Sequence, residues 1–143
     1  MTWIPVFGLV LATSFFSAAL GATPEGDSLD GVWVPVTAEI GGNPFPDEVR
    51  ASIRLEIKGT DYIVTVGDKP DRGTCKLNPT AKPRAIDITG TEGPNKGRTI
   101  LAIYERTGDR LRVCYDLTGK SRPTEFKTAP GTQLFLVEYQ LKK

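Results

Sequence analysis

The chain has 143 residues with 18 Lys and Arg, 17 Asp and Glu and no histidine, and its formal net charge is +1. Charges of both signs are interspersed, which argues against a nucleic acid or an anionic membrane surface as a partner. The missing histidine excludes Ser-His and Cys-His nucleophilic mechanisms and the commonest zinc and copper sites. We therefore predict a protein that is not an enzyme and that carries no cofactor and no metal.

The N-terminal segment is apolar. Its first 22 residues, MTWIPVFGLVLATSFFSAALGA, contain no charged side chain and end in small residues that suit signal-peptidase cleavage. This pattern predicts a signal peptide over residues 1–22 and an exported chain, periplasmic or extracellular. An uncleaved membrane anchor is the alternative, because the α-amine is the only positive charge before the apolar stretch. Residues 23–143 are then one domain of ordinary size.

Along residues 23–143, apolar side chains recur at every second position, which is the period of a half-buried β-strand. Residues 46–52 are the only helical candidate. Eight short strands separated by Gly- and Pro-rich turns favour an antiparallel sandwich or a closed barrel. The eight predicted strands are VWVPVTAEI (32–40), ASIRLEIKG (51–59), YIVTVG (62–67), GTCKLN (73–78), RAIDIT (84–89), RTILAIYER (98–106), DRLRVCYDL (109–117) and TQLFLVEYQLK (132–142).

The connections between these strands alternate in length. In an up-and-down order, the compact links KGTD, PTAKP and TGD share one end of the barrel. The links GGNPFPDEV, DKPDR, GTEGPNKG and TGKSRPTEFKTAPG share the other end, which we interpret as the mouth. An eight-stranded barrel has an interior that side chains just fill or that holds one small ligand. The fold prediction is thus an all-β, eight-stranded antiparallel up-and-down barrel.

The first strand begins with Gly31-Val32-Trp33. This tripeptide resembles the glycine-x-tryptophan signature of lipocalins and related calycin barrels. The resemblance implies that Trp33 closes the base of the barrel and packs against a basic residue of the last strand. Because the last strand would return beside the first, Lys142 is the residue expected over the indole.

The domain as a whole resembles a family of small exported, lipocalin-like domains described from planctomycete-type bacteria. The resemblance implies the fold and export, and it brings no known reaction. The resembling segments are LDGVWVPVTAEIGGNPFP (29–46), TVGD (65–68), KLNPTAKPRAIDIT (76–89), GPNKGRTILAIYE (93–105), GDRLRVCYD (108–116) and GKSRPTEF (119–126).

Two cysteines, Cys75 and Cys114, are present in a chain whose predicted location would allow a disulfide to persist. The strand pattern puts Cys114 on the face opposite to Leu111 and Val113, whereas Cys75 shares the face of Leu77. A bridge between the two cysteines and two separate thiols both stay open at this point.

The longest link supplies the polar site candidates. RPTEF places Arg122, Glu125 and Phe126 near the predicted mouth. There, Arg122 could pair with Glu125 or with an anionic ligand group, and Phe126 could act as a lid. The alternative is that Arg122 and Glu125 only fix the loop while Phe126 anchors it inside the barrel. Asp68 and Asp71 lie in a Pro-containing turn and are interpreted as solvated carboxylates rather than calcium ligands.

Three functional hypotheses follow. The first is a barrel that binds a small, mostly apolar ligand. The second is a protein-interaction or inhibitor module that uses the mouth loops on a filled barrel. The third is an enzyme that uses Arg122 and carboxylates, and we rank it last. The side chains expected to face the interior are Ile53, Leu55, Tyr62, Val64, Leu111, Val113, Tyr115, Phe135 and Val137.

Overall fold

The computed structural model describes residues 28–143, so the predicted signal peptide lies outside the described residues. These residues form nine strands and one short helix, and the eight predicted strands are all found. The elements are β1 (Gly31–Ile40), β2 (Asn43–Pro44), α1 (Asp47–Ala51), β3 (Ile53–Lys58), β4 (Asp61–Val66), β5 (Lys69–Asn78), β6 (Arg84–Glu92), β7 (Thr99–Thr107), β8 (Arg110–Asp116) and β9 (Leu134–Leu141).

The strands form a closed antiparallel barrel. From β3 to β9 each strand pairs with the next one in the chain, and β1 closes the ring by pairing with both β3 and β9. The two-residue β2 adds to the far end of β1, where Glu39 and Ile40 face Pro44 and Asn43. The up-and-down barrel predicted from the sequence is therefore confirmed, with one extra short strand.

The two ends of the barrel differ as the link lengths predicted. The turns at 59–60, 79–83 and 108–109 lie at one end, which we call the base. The connections 41–52, 67–68, 93–98 and 117–133 lie at the other end, the mouth. One link is shorter than expected, because β5 begins at Lys69 and leaves only Gly67 and Asp68 between β4 and β5. Gly67 has a φ of +66°, which suits such a tight hairpin turn.

Trp33 closes the base. Its side chain is fully buried, and its indole N–H donates to the Leu29 carbonyl at 2.9 Å. The cation over the ring is Arg106 of β7, whose guanidinium carbon lies 5.1 Å from the ring centroid. The expectation that Lys142 fills this role was wrong. The backbone of Lys142 does lie beside β1, since its N–H donates to the Val32 carbonyl.

Arg106 reaches the indole because it continues the inward-facing series of β7. Its guanidinium also donates to the Ser28 carbonyl at 2.6 Å and to the Gly108 carbonyl at 3.0 Å. The arginine thus connects the chain before β1 to the β7–β8 turn. Gly31, the glycine of the signature, has a φ of +137°, and a Cβ there would stand 2.6 Å from the Leu141 Cδ1. The positive φ therefore favours glycine at this position, whereas the Leu141 side chain would have to shift to make room for a Cβ.

The interior is built by the predicted period-two pattern. Alternate side chains of every long strand form one apolar cluster inside the barrel, which includes Leu55, Val113 and Val137. A second set of apolar residues, Ala85, Ile103 and Cys114, is buried on the outer face of β6, β7 and β8. The 117–133 connection covers that outer face.

This connection, which we call the 117–133 loop, is fixed at its start by Asp116. The Asp116 carboxylate accepts hydrogen bonds from the backbone and side chains of Thr118 and Ser121. Burial raises the pKa of Asp116, but these four hydrogen bonds outweigh it and hold the pKa below its usual value. The loop therefore leaves the mouth along a defined path and folds back over the barrel wall.

Candidate ligand cavity

The barrel encloses a cavity of about 270 Å³, just below the roughly 300 Å³ at which small-molecule sites usually begin. Apolar side chains form nearly all of its wall, so a bound molecule would be largely apolar. The lining residues are Leu29, Ile40, Phe45, Val49, Ile53, Leu55, Ile57, Tyr62, Val64, Val66, Asp71, Cys75, Ile86, Ile88, Asn95, Ile100, Leu111, Val113, Tyr115, Leu117, Phe135 and Tyr139.

The cavity reaches the surface at the mouth. Val49 on α1 and Val66 at the end of β4 both line it, and they are 42% and 46% exposed. At the base, Leu29 is buried and forms part of the cavity wall beside Trp33. A ligand would therefore pass between two exposed valines at the mouth and stop at the base formed by Leu29 and Trp33.

Aromatic side chains form a column along one side of the cavity. Phe45 stacks on Phe135 with centroids 5.2 Å apart, and Phe135 stacks on Tyr115 at 5.5 Å. The Tyr115 hydroxyl is hydrogen-bonded to the Tyr139 hydroxyl at 2.9 Å. Each hydroxyl has the other as a hydrogen-bond partner, and the aromatic rings make this side of the cavity largely apolar.

A carboxylate lies on the opposite part of the wall. Asp71 of β5 lines the cavity near the mouth, and its Oδ2 accepts a hydrogen bond from the side-chain amide of Asn95 at 2.5 Å. Its Oδ1 is out of contact with solvent and has no hydrogen-bond partner among the described residues. Burial, with smaller contributions from Asp71 and Cys75, raises the pKa of Tyr62 to about 12. Asp71, Tyr62 and Cys75 thus share one region of the cavity wall.

Of the six predicted ligand-binding residues, three line the cavity: Tyr62, Val113 and Tyr115. They were predicted from alternation along their strands, and β4 and β8 indeed present these positions inward. Most of the wider inward set lines the cavity too. Val137 is the exception, since it is fully buried in the core cluster without lining the cavity.

The other three, Arg122, Glu125 and Phe126, lie outside the barrel, so their predicted position at the mouth was wrong. Arg122 donates to the Ile86 and Ala102 carbonyls, at 3.2 and 2.8 Å, and forms an ion pair with Asp87 on the outer wall. Phe126 packs under Arg112, whose guanidinium carbon is 4.1 Å from the ring centroid. The physical reason is the apolar outer face of β6–β8, which the loop covers.

Glu125 forms an exposed ion pair with Lys127 at 2.8 Å. Arg122 and Glu125 therefore do not form the pair that the sequence suggested. The alternative reading of RPTEF, in which its residues fix the loop, describes Arg122 and Phe126 well, although Phe126 anchors the loop on the outer wall instead of inside the barrel.

Asp71 was not predicted as a cavity residue, because DKPDR was assigned to a loop. Once β5 begins at Lys69, alternation backwards from Leu77 and Cys75 places Gly73 and Asp71 inside. The same counting along β7, from Ile100 through Tyr104 to Arg106, was the available signal for the cation over Trp33.

The cysteines lie on opposite faces of the barrel wall. Cys75 lines the cavity, and Cys114 is buried on the outer face with its thiol 3.6 Å from the Lys127 carbonyl. Both are free thiols. Burial is the main cause that raises the pKa of each, so both thiols stay protonated near neutral pH.

Comparisons of the chain with protein-family models, curated proteins and solved structures found no match. Within residues 28–143, the single helix has five residues, and no helix there is long and apolar enough to cross a membrane.

Proposed function

We propose that this protein binds a small, mostly apolar molecule inside the barrel. One observation supports the proposal above all: the apolar cavity of about 270 Å³ that opens at the mouth. Protein interiors are normally packed to the density of organic crystals. A barrel that served only as a rigid support for its loops would be expected to fill this space with its own side chains.

The mouth adds to this argument. Val49 and Val66 are the large apolar side chains that stand most exposed in the described residues, and both lie where the cavity opens. Apolar surface at this position would give an apolar ligand a continuous path out of water. The resemblance to exported lipocalin-like domains agrees with the proposal, and we extend it to an exported protein that meets its ligand outside the cytoplasm.

The direct test is to purify the protein from its native host, extract it with organic solvent and identify small molecules by mass spectrometry. We expect one compound, or a narrow series, in stoichiometric amount. N-terminal sequencing of the same preparation checks export, because cleavage near residue 22 would leave a chain that begins close to Thr23.

A binding test with the recombinant protein uses the uncharged fluorescent probe N-phenyl-1-naphthylamine. Val64→Trp should abolish the fluorescence increase, because the side chain of Val64 lines the cavity. Ile63→Trp is the matched control: the neighbouring residue on β4 has the opposite side-chain direction and does not line the cavity. If both variants bind like the wild type, the probe sits elsewhere and the proposal loses its support.

The interaction-module hypothesis makes a different prediction. It places the contact surface on the mouth loops, so filling the cavity through Val64→Trp would leave partner binding intact. The enzyme hypothesis relied on Arg122 beside carboxylates at the mouth. The ion pair that Arg122 forms with Asp87 lies on the outer wall instead. The test of this hypothesis stays a substrate screen followed by substitution of Arg122 or Glu125.

A further inference from the structure

We propose that the molecule bound in the cavity carries a protonated amine, which bonds to Asp71. The inference depends on the proposed function, and it specifies the chemical class of the ligand: an apolar body with one cationic, hydrogen-bond-donating head group. Three features of Asp71 support it: its position, its incomplete hydrogen bonding and the absence of an ion-pair partner in residues 28–143.

The position of Asp71 is unusual for a carboxylate. It lies half-buried on β5 at an inward position, two residues before Gly73 and four before Cys75, in a cavity whose wall is mostly apolar. The charged residue next to it, Arg72, points outward and pairs with Glu92 at 3.7 Å. Among the described residues, no Lys or Arg forms an ion pair with Asp71.

The hydrogen bonding of Asp71 is incomplete. Asn95 satisfies Oδ2, while Oδ1 is out of solvent and lacks a donor in the described part of the chain. An unsatisfied buried carboxylate oxygen is unfavourable, and an isolated charge in apolar surroundings even more so. A donor that arrives with a ligand removes the first penalty, and a cationic donor removes both.

The 93–98 loop packs closely on Asp71 on the side of the mouth: a Cβ on Gly93, which has a φ of +91°, would stand 3.2 Å from Oδ1. The ligand would therefore approach Asp71 from the cavity, which this residue lines. On the cavity side, Tyr62 lies near enough to Asp71 for the carboxylate to contribute to its raised pKa. The amine would therefore lie near the mouth, with the apolar body toward Leu29 and the base.

The test compares three probes of equal chain length: octylamine, octanol and octanoate, measured at pH 7 by displacement of N-phenyl-1-naphthylamine. We expect octylamine to bind about tenfold more tightly than octanol, because both head groups can donate a hydrogen bond to Asp71 and only the ammonium adds the attraction of opposite charges. Octanoate should bind most weakly, since its carboxylate would face Asp71.

Asp71→Asn keeps the shape of the side chain and removes the charge, so it should abolish the preference for octylamine and leave octanol binding within about twofold. Octanol binding then also shows that the variant is folded with an intact cavity. Asp68→Asn is the matched control, because Asp68 is an exposed carboxylate in the turn at the same end of the barrel. It makes the same change in net charge and should keep the preference.

Three outcomes are distinguishable. A preference for octylamine that is lost in Asp71→Asn and kept in Asp68→Asn supports the inference. Equal binding of the three probes, or a preference that survives Asp71→Asn, overturns it and leaves the proposed function standing. If the wild type binds none of the probes and does not take up N-phenyl-1-naphthylamine, the proposed function fails and the inference fails with it.

Discussion

At the scale of single residues, Gly73 has a part in shaping the cavity wall. A Cβ at this position would stand 2.1 Å from the Thr89 carbonyl oxygen and 2.6 Å from a ring carbon of Tyr62. The glycine therefore lets the Tyr62 ring lie against β5 while β5 stays paired with β6. Because one of these atoms belongs to the backbone, a side-chain rotation alone would not make room.

Gly73→Ala should accordingly lower the free energy of unfolding by about 2–3 kcal/mol, as in other overpacked sites. Gly67→Ala is the comparison, since Gly67 has a φ of +66° but no atom within 4 Å of a Cβ. It should lose only the roughly 1–2 kcal/mol of left-handed backbone strain. Urea unfolding measures both, and a Gly73→Ala variant no less stable than Gly67→Ala would contradict the packing described here.

The buried tyrosines predict how stability depends on alkaline pH. Burial raises the pKa of Tyr139 to about 12, and the hydrogen bond with Tyr115 offsets only part of this. Between pH 10 and 12 the unfolded chain therefore loses a proton that the folded chain keeps. The contribution of each such tyrosine to the free energy of unfolding is complete below pH 10. Above pH 10 the free energy of unfolding should fall, by at most about 1.4 kcal/mol per pH unit for each of these tyrosines.

In Tyr139→Phe the free energy of unfolding should fall less steeply with pH, because one titrating tyrosine is missing. At pH 8 the variant should be less stable by about 1 kcal/mol, because the hydrogen bond to Tyr115 is lost. Val137→Ala, which deletes buried methyl groups from the same strand, controls for destabilisation alone: its stability curve should run parallel to that of the wild type. Urea unfolding at intervals from pH 8 to 11.5 measures all three, and equal slopes would contradict the prediction.

At the scale of elements, the 117–133 loop is the part that sequence reasoning placed worst. Its composition showed a long, Pro- and Gly-containing connection, and its end of the barrel was predicted correctly. Its path is set by the outer face of β6–β8. This face is apolar at Ala85, Ile103 and Cys114 and would be exposed to solvent without the loop. Alternation along the strands predicts that outward positions such as Ala85 and Ile103 face solvent. The packing of Arg122 and Phe126 against the outer wall therefore shows only in the three-dimensional structure.

Arg122 is the main attachment of this loop, because one guanidinium bonds two main-chain carbonyls and Asp87. Arg122→Ala should therefore open the loop and expose Cys114. In a Cys75→Ala background, the reaction of Cys114 with a maleimide should be about tenfold faster, since hydrogen bonds to a charged group are worth about 1.5–3 kcal/mol.

Glu125→Gln provides the control for this experiment. It breaks the exposed ion pair with Lys127 in the same loop, and exposed pairs contribute little to stability. The rate at Cys114 should therefore change less than twofold. An equal acceleration in both variants would mean that the loop responds to any change of charge, and the attachment assigned to Arg122 would be wrong.

At the scale of the whole molecule, alternation and link length were enough to predict the barrel, its closed base and its open mouth. The inward positions Tyr62, Val113 and Tyr115 followed from the same pattern. The pattern gave no information on how far the strands are staggered, so the cavity volume and the place of Asp71 within it had to come from the structure. The cation over Trp33 was within reach of the same pattern, because counting along β7 from Ile100 places Arg106 on the inward face.

The wall of the barrel separates the apolar cavity from the apolar layer on its outer face, and one cysteine lies in each region. Cys75 belongs to the cavity and Cys114 to the layer under the 117–133 loop, so a bridge between them would have to cross the wall.

We expect the melting temperature to be the same with and without a reductant. Under denaturing conditions without reductant, Ellman's reagent should find two thiols per chain, whereas in the native state both should react slowly because burial raises the pKa of each. Cys75→Ser and Cys114→Ser should each leave one thiol in the denaturing assay. Finding no free thiol in the wild-type monomer would require a bridge through the wall, and the two-region arrangement would then have to be abandoned.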